Sequence, residues 1–451
     1  MTDLSQLSAL PSGDRDPIGI LVEQNASRLQ DLVPVRIGRM LESPFAYYRG
    51  TAGTMAADLS STPSSGQTVL CCGDAHISNF GFFASPERTL LFDLNDFDEG
   101  GFAPWEWDVK RLVTSVYIAA LDNGETPDAA RAAAVATTRA YRKSLRRLHA
   151  LPAMDRYYFT VDTGNVSELL TRHVKGSDLG KRRAAAAARQ VAKAERKAAA
   201  RNSQQALAKF TVADEGGQHR IVDQPPLTRH VEHVDGGRVE SLFREYTSTL
   251  REDVAYLLRQ FRIVDYVLRV VGVGSVGTRC YIVLLEDREG NPLFLQVKEA
   301  QATVLSTYGK VPQFGDNWPS GNGGRVVGSQ RVLQAQSDAF LGWTKDVDQR
   351  DAEHRVDYYW RQFRDMKLSI DLATLDIDAL TGTAKICAGL LARAHSQSSG
   401  AAQVAEEIGR SAELDQVMAE FARGYADICF ADFEALEQAV AEGVLPAERG
   451  L

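Results

Sequence analysis

The 451-residue sequence predicts an α+β protein of two lobes, one largely helical and one built on a small antiparallel sheet. Three observations carry this expectation. Helical periodicity dominates both ends of the chain. Short β-branched, apolar runs broken by glycine gather in IVDYVLRVVGVGSVGTRCYIVLLEDREGNPLFLQVKEA, beginning at Ile263. The length also suffices for two hydrophobic cores.

Taken in order, residues 1–27 read as an extension, loosely ordered and then helical. Helical spacing covers roughly 28–42, and SPFAYYRG (43–50) ends it. GQTVLCCGD and RTLLFDLND read as two buried strands separated by an SNFGFFASPE loop. A helix runs from Trp105 to about Leu121 and stops at DNG, and another follows Pro127. Residues 28–150 form one unit, and 151–240 an insertion that mixes a basic helix with irregular pieces, a strand and a proline turn in GGQHRIVDQPPLTRH. The small lobe spans 241–365: strand, glycine turn, strand, a hairpin at REGNP, strand, then helical spacing over 325–341 and strand-like aromatics in VDYYWRQFRD. Helices over 366–451 complete the large lobe.

The net charge of −8 argues against a general nucleic-acid binder. Lys181–Lys209 opposes the trend, with nine Lys/Arg against Glu195, so the remainder carries about −16. Arg189, Lys193, Lys197 and Arg201 recur every four residues and would form one basic stripe. It reads either as a solvated helix face or as a surface for an anionic partner. No apolar run is long enough to span a bilayer, since Asp265 and Arg269 interrupt the best candidate. The N-terminal segment lacks a basic start followed by an apolar core, so no signal peptide is expected. Five scattered cysteines without CxxC spacing suggest a reduced, cytoplasmic setting.

Two constellations carry chemistry. In GDAHISNFGFF, Asp74 and Asn79 have D-x4-N spacing, and Asp96 follows seventeen residues later at the end of an apolar strand. This suits metal-assisted phosphoryl transfer. Asp74 would accept the proton of the attacking hydroxyl, while Asn79 and Asp96 would hold Mg²⁺ against nucleotide phosphates, with Asp98 as an auxiliary acid. A calcium-loop reading of Asp93–Glu99 fails, because Phe97 falls at a ligand position or the twelfth-position Glu is missing. His76 has no partner at metal-ligand spacing and reads as structural. Cys71 and Cys72 read as buried strand residues.

The second constellation is GVGSVG, with Gly272, Gly274, Ser275 and Gly277. A dinucleotide-binding turn needs a helix next, yet TRCYIVLL is a strand sequence, so the glycines bend a hairpin that could cover ATP phosphates. Lys298, 21 residues beyond Gly277 on the following strand, could neutralise those phosphates.

Together these residues resemble the protein-kinase-like superfamily, especially its aminoglycoside-phosphotransferase branch. CGDAHISN is similar to that branch's H-G-D-x4-N loop, with Cys72 in place of the histidine. LNDF supplies Asp96, and EWDVKRL supplies Asp108 twelve residues later. The chain from about 28 to 430 also resembles the bacterial DUF2252 family of uncharacterised proteins, through SPFAYYRG, CGDAHISNFG, FDLNDFDE, WEWDVKRL, QVKEA, RQFRDMK and LARAHS. The kinase resemblance implies ATP and Mg²⁺ as cofactors and phosphoryl transfer to an acceptor that the sequence does not identify. Two other outcomes stay open: AMP transfer from the same site, or nucleotide binding without catalysis. In kinases the glycine loop and lysine precede the catalytic loop; here they follow it by about two hundred residues. Read cyclically, from 262 to 397 and then from 70 to 121, the elements fall in kinase order, which implies a circularly permuted two-lobed fold. Kinases pair the lysine with a helix glutamate; RVVGSQRVLQAQSD has none, leaving Gln330, Gln334 or Asp338 as substitutes. Arg49 and Arg361, among aromatics near the motifs, suit phosphate binding or an ion pair with local carboxylates. Asp108 is expected to brace the catalytic loop, His395 to sit in the core or cap a helix, and Trp105 and Trp107 to pack.

Overall fold

A computed structural model describes residues 3–12, 15–162, 196, 202–213, 215–231, 236–313, 320–347, 355–363, 366–409 and 412–451. The basic stripe of Arg189, Lys193, Lys197 and Arg201 lies outside these residues.

The helical body is organised around the helix Trp105–Asp122, in which every residue from Trp105 to Ala120 is buried. A helix buried on all sides has to be enclosed by other elements, and here Pro127–His149, Ile377–His395 and Glu413–Ala441 pack around it or one another. Their starts are encoded locally. Thr126 caps Pro127–His149 by accepting from Ala129 N at 3.2 Å, with Pro127 in the first turn. Asp376 caps Ile377–His395 through Ala379 N at 2.8 Å.

Four short strands lie against this body: β1 (Thr68–Cys71), β2 (Phe80–Ala84), β3 (Leu90–Leu94) and β4 (Gly101–Pro104). β1 pairs with β4, and β2 with β3. After the hairpin β5 (Thr211–Ala213) and β6 (His219–Ile221) comes a six-stranded antiparallel sheet. It contains β7 (Thr228–Arg229), β8 (Arg262–Arg269), β9 (Cys280–Glu286), β10 (Pro292–Ala300), β11 (Gly342–Val347) and β12 (Arg355–Gln362), in the order β11-β12-β10-β9-β8-β7. β13 (Leu368–Ser369) returns to pair with β2. Thus the chain is α+β with antiparallel sheets, as expected.

Register decides what the sheet presents to the cleft. Lys298 on β10 lies opposite Cys280 on β9 and Tyr359 on β12, and Gln296 lies opposite Arg361. Side chains alternate along a strand and directly opposed ones share a face, so these five polar or reactive groups project together. The alternate positions Leu293, Leu295, Val297, Tyr358 and Trp360 join Tyr246 in a separate apolar cluster.

Three local expectations need correction. The helix before SPFAYYRG does end, at Met40, but Pro44–Gly50 is itself a helix, because Ser43 caps it through Ala46 N at 3.1 Å. SNFGFFASPE is not a plain loop, since Phe80–Ala84 forms β2 and buries all five residues. The helical spacing over 325–341 stops at Leu333, and β11 begins at Gly342, an edge strand whose sequence GWTKDV carries little alternation. The helix from Trp105 and the three strands around REGNP lie where expected. Among the described residues no helix is long and apolar enough to cross a membrane, and all five cysteines are buried and unbridged.

Candidate functional site

A cleft of about 340 Å³ opens where the β1–β4 segment meets the six-stranded sheet. The first segment contributes Asp74, Asn79, Asp96 and Asp98 to its lining; the second contributes Gly272, Gly274, Ser275 and Arg361; and Arg49 completes the group.

Asp74 follows β1 through a turn that only glycine can make. Gly73 has φ of +79°, and a Cβ there would lie 2.1 Å from Glu99 O. Both Asp108 oxygens accept from the turn, Oδ2 from Cys72 N at 2.8 Å and Oδ1 from Gly73 N at 3.0 Å, while His395 Nε2 lies 3.2 Å from Oδ2. Tyr141 Oη is 2.8 Å from the other His395 nitrogen. Asp108 therefore has the bracing geometry expected of it, and His395 sits in the core, as expected. Ser115 Oγ accepts from Ile77 N at 2.9 Å and fixes the next turn.

The Asp74 carboxylate is held at Oδ1 by Arg111 Nε at 2.7 Å, while His76 Nε2 stands 3.7 Å from Oδ2. Burial raises the Asp74 carboxyl above its ordinary value, against the pull of Arg111. Burial, with Arg49 and Arg111 nearby, lowers the His76 imidazole well below its ordinary value, and its Nδ1 is buried without a partner. Sequence reasoning passed over both Arg111 and the cleft position of His76. Arg111 lies three residues after Asp108 in WEWDVKRL, one helical turn on, so the motif did contain the signal.

Asn79 Nδ2 donates to the backbone oxygens of Asp74 and Asp96, each at 3.0 Å. This fixes Asn79 between the two acids and leaves its Oδ1 buried and without a partner. Asp96 and Asp98 project on the same side as Lys298, whose Nζ is 3.5 Å from Asp96 Oδ1 and closer still to Asp98 Oδ2. Tyr359 Oη donates to Asp98 Oδ1 at 2.5 Å, and Ser275 Oγ reaches Asp98 Oδ2 at 3.4 Å. Burial would raise the Asp98 carboxyl, but Lys298 and Tyr359 outweigh it and hold it below the ordinary range. Asp96 is raised by burial and by Asp98. Burial would lower the Lys298 ammonium, yet the two acids push it up. Two carboxylates facing one ammonium beside an unpaired amide oxygen form a donor set that fits a hard divalent cation.

Among the described residues, the His/Cys/Asp/Glu group gathered most closely is a different one, Cys71, Asp108 and His395, with ligand atoms within 4.8 Å. It is fully buried and the Asp108 oxygens are already committed to backbone N–H groups, so it serves the fold.

The glycine loop is a turn between β8 and β9, as its flanks required. Gly272 and Gly277 have φ of +66° and +88°. Gly277 O accepts from Leu29 N at 2.8 Å, Val276 O from Arg28 Nη1 at 2.6 Å, and Gly272 O from Arg39. Gly277 and Lys298 stand behind the lining; Lys298 acts on the cleft through the acids it holds.

None of the substitutes for a helix glutamate bonds Lys298. Gln330 Nε2 donates to Gln334 Oε1 at 2.9 Å, Gln334 Nε2 to Leu94 O at 2.8 Å, and Asp338 accepts from Gln362 N at 2.6 Å. The helix Gly321–Leu333 instead supports the acids' backbone, with Arg325 Nη2 donating to Asp98 O at 2.8 Å. Among the described residues Arg361 has no ion-pair partner: its Nε donates to Gln296 Oε1 at 2.9 Å and its Nη1 to Asn95 O at 3.3 Å. Lys367, beside Arg361 in the lining and absent from the sequence-based candidates, has its ammonium lowered to about 7, chiefly by burial and then by Arg361.

Compared with known families, residues 28–439 match the model described as "Uncharacterized protein conserved in bacteria (DUF2252)", and the chain belongs to that family. No curated protein and no solved structure matches it.

Proposed function

We propose that this DUF2252 member is a Mg-ATP-dependent phosphotransferase with a kinase-like, two-lobed site assembled in circularly permuted order. One observation carries the reading: Lys298 reaches Asp96 and Asp98 from about two hundred residues away in sequence, so the glycine-loop segment and the D-x4-N segment share one cleft.

The roles follow from the contacts. Asp74 is fixed at one oxygen by Arg111, which leaves Oδ2 to take the proton of an acceptor hydroxyl. Asn79 Oδ1, Asp96 and Asp98 are the residues that would hold Mg²⁺, whose chemistry is to neutralise charge on the transferred phosphoryl group. Lys298, with Arg361 beside it, supplies fixed positive charge at the same end. The positions of Gly272, Gly274 and Ser275 suit backbone contacts to phosphates.

Calorimetry with ADP in the presence and absence of Mg²⁺ tests the site. Binding is expected to depend on the metal, to be lost in Asp96→Ala and to weaken in Lys298→Met. Absence of Mg-nucleotide binding by the unmodified protein would sink the reading. Following the label from α- and γ-labelled ATP then separates phosphoryl transfer from AMP transfer.

A further inference from the structure

The acids of the cleft are nearly all committed. Asp74 is paired with Arg111 at 2.7 Å, Glu299 with Arg279 at 3.2 Å, and Asp96 and Asp98 share Lys298. Glu99 accepts from Val304 N at 2.7 Å and is raised to about 7 by burial. Three arginines of the same lining, Arg28, Arg36 and Arg49, have no carboxylate within ion-pair distance among the described residues. Arg28 is spent on Val276 O, and fully buried Arg36 on Asn25 Oδ1 at 2.6 Å and Gly50 O at 3.0 Å.

Arg49 differs from both. Its Nε is buried without a partner, and among the described residues its guanidinium makes no hydrogen bond. Burial lowers it, and of the charges around it Asp74 is the strongest attraction. Arg49 as a whole is half-buried and lines the cleft, and a guanidinium partly removed from water without a counter-ion gains from an anionic partner. Its planar fork of donors matches the oxygens of a phosphate or carboxylate. Its position is also specific: Arg361 and Lys298 serve the Asp96–Asp98 end, whereas Arg49 stands at the Asp74 end, where an acceptor hydroxyl must lie.

We infer that Arg49 anchors an anionic group, phosphate or carboxylate, carried by the acceptor close to the hydroxyl that faces Asp74. This rests on the phosphotransferase reading and narrows its substrate to small hydroxylated anions.

The test uses the full chain saturated with Mg²⁺ and a non-hydrolysable ATP analogue, titrated with glycerol 3-phosphate, glycerate and glycerol. One or both anionic probes are expected to bind more tightly than glycerol. Arg49→Gln is expected to weaken that binding about tenfold or more, the equivalent of one charge-assisted contact, and to leave analogue affinity unchanged. Arg49→Lys, which keeps the charge, recovers part of the loss. Which anion binds distinguishes the phosphate from the carboxylate source. Equal binding of glycerol and both anions, or equal binding to Arg49→Gln and the unmodified protein, overturns the inference. Parallel loss of the analogue in Arg49→Gln overturns it too, by making Arg49 a nucleotide residue. If the unmodified protein takes no analogue, it is the phosphotransferase reading that fails.

Discussion

The segment Gly73–Asn79 and the loop Gly272–Gly277 face one cleft, and they are held by different kinds of bond. The first is tied down by buried side chains that share its core: Asp108 on two N–H groups, Ser115 on a third, Asn79 on two carbonyls. The second is held mainly at its rim, by Arg28, Leu29 and Arg39 on its carbonyl oxygens. A buried carboxylate on paired N–H groups is costly to break, whereas arginine on a part-exposed carbonyl is replaceable by water. The acid-bearing segment is thus the more firmly preorganised of the two, and the glycine loop is anchored beneath its carbonyl bonds by buried Val276.

The sharpest break of this comparison is Asp74→Ala, expected to lower turnover by about 10²–10⁴-fold while leaving nucleotide affinity intact; steady-state kinetics beside calorimetry would show whether the two separate. Asp108→Ala should act on the fold, because it strands two N–H groups and His395 in the core. A stability loss of about 3 kcal/mol in urea unfolding is expected, against a negligible one for Ser275→Ala in the opposite loop. For Lys298→Met the expected result is a tenfold to hundredfold weaker Mg-nucleotide affinity, roughly one lost charge-assisted contact.

Glu99 offers a pH test. Its folded value of about 7 lies above the ordinary 4.5, so the folded state keeps a proton that the unfolded chain has lost between these values. The stability this contributes is fully present below 4.5 and is lost as pH rises through 7. Glu99→Gln should therefore be more stable than the unmodified protein above that window, on the order of 1–3 kcal/mol, and little changed below it. The smallest effect belongs to the rim. Arg39→Ala releases one bond to Gly272 and one to Leu451 O and should cost about 1 kcal/mol in unfolding; a loss well beyond that would mean that the glycine loop is as firmly built in as its counterpart.

Several features were open to reading in the sequence because they are local. Thr126 before Pro127 sets a helix start, REGNP sets a hairpin, and a strand sequence after GVGSVG excludes a dinucleotide turn. The D-x4-N spacing likewise places an acid and an amide on one short turn, whatever surrounds them. SPFAYYRG was misread although Ser43 and Pro44 mark a helix start, and the body covers its Tyr47 and Tyr48; GWTKDV carried no signal and becomes an edge strand by lying beside β12.

The site divides in the same way. Its acids, its glycines and Lys298 could be named from residue type and spacing alone, since the chemistry of a carboxylate or an ammonium travels with the side chain. Tertiary structure alone decided the pairings. Lys298 takes Asp98 rather than a helix residue because strand register aims it across the cleft, Arg111 claims Asp74, and Arg49 is left without a counter-ion among the described residues. Distance and desolvation fix such choices, and neither exists until the chain has folded.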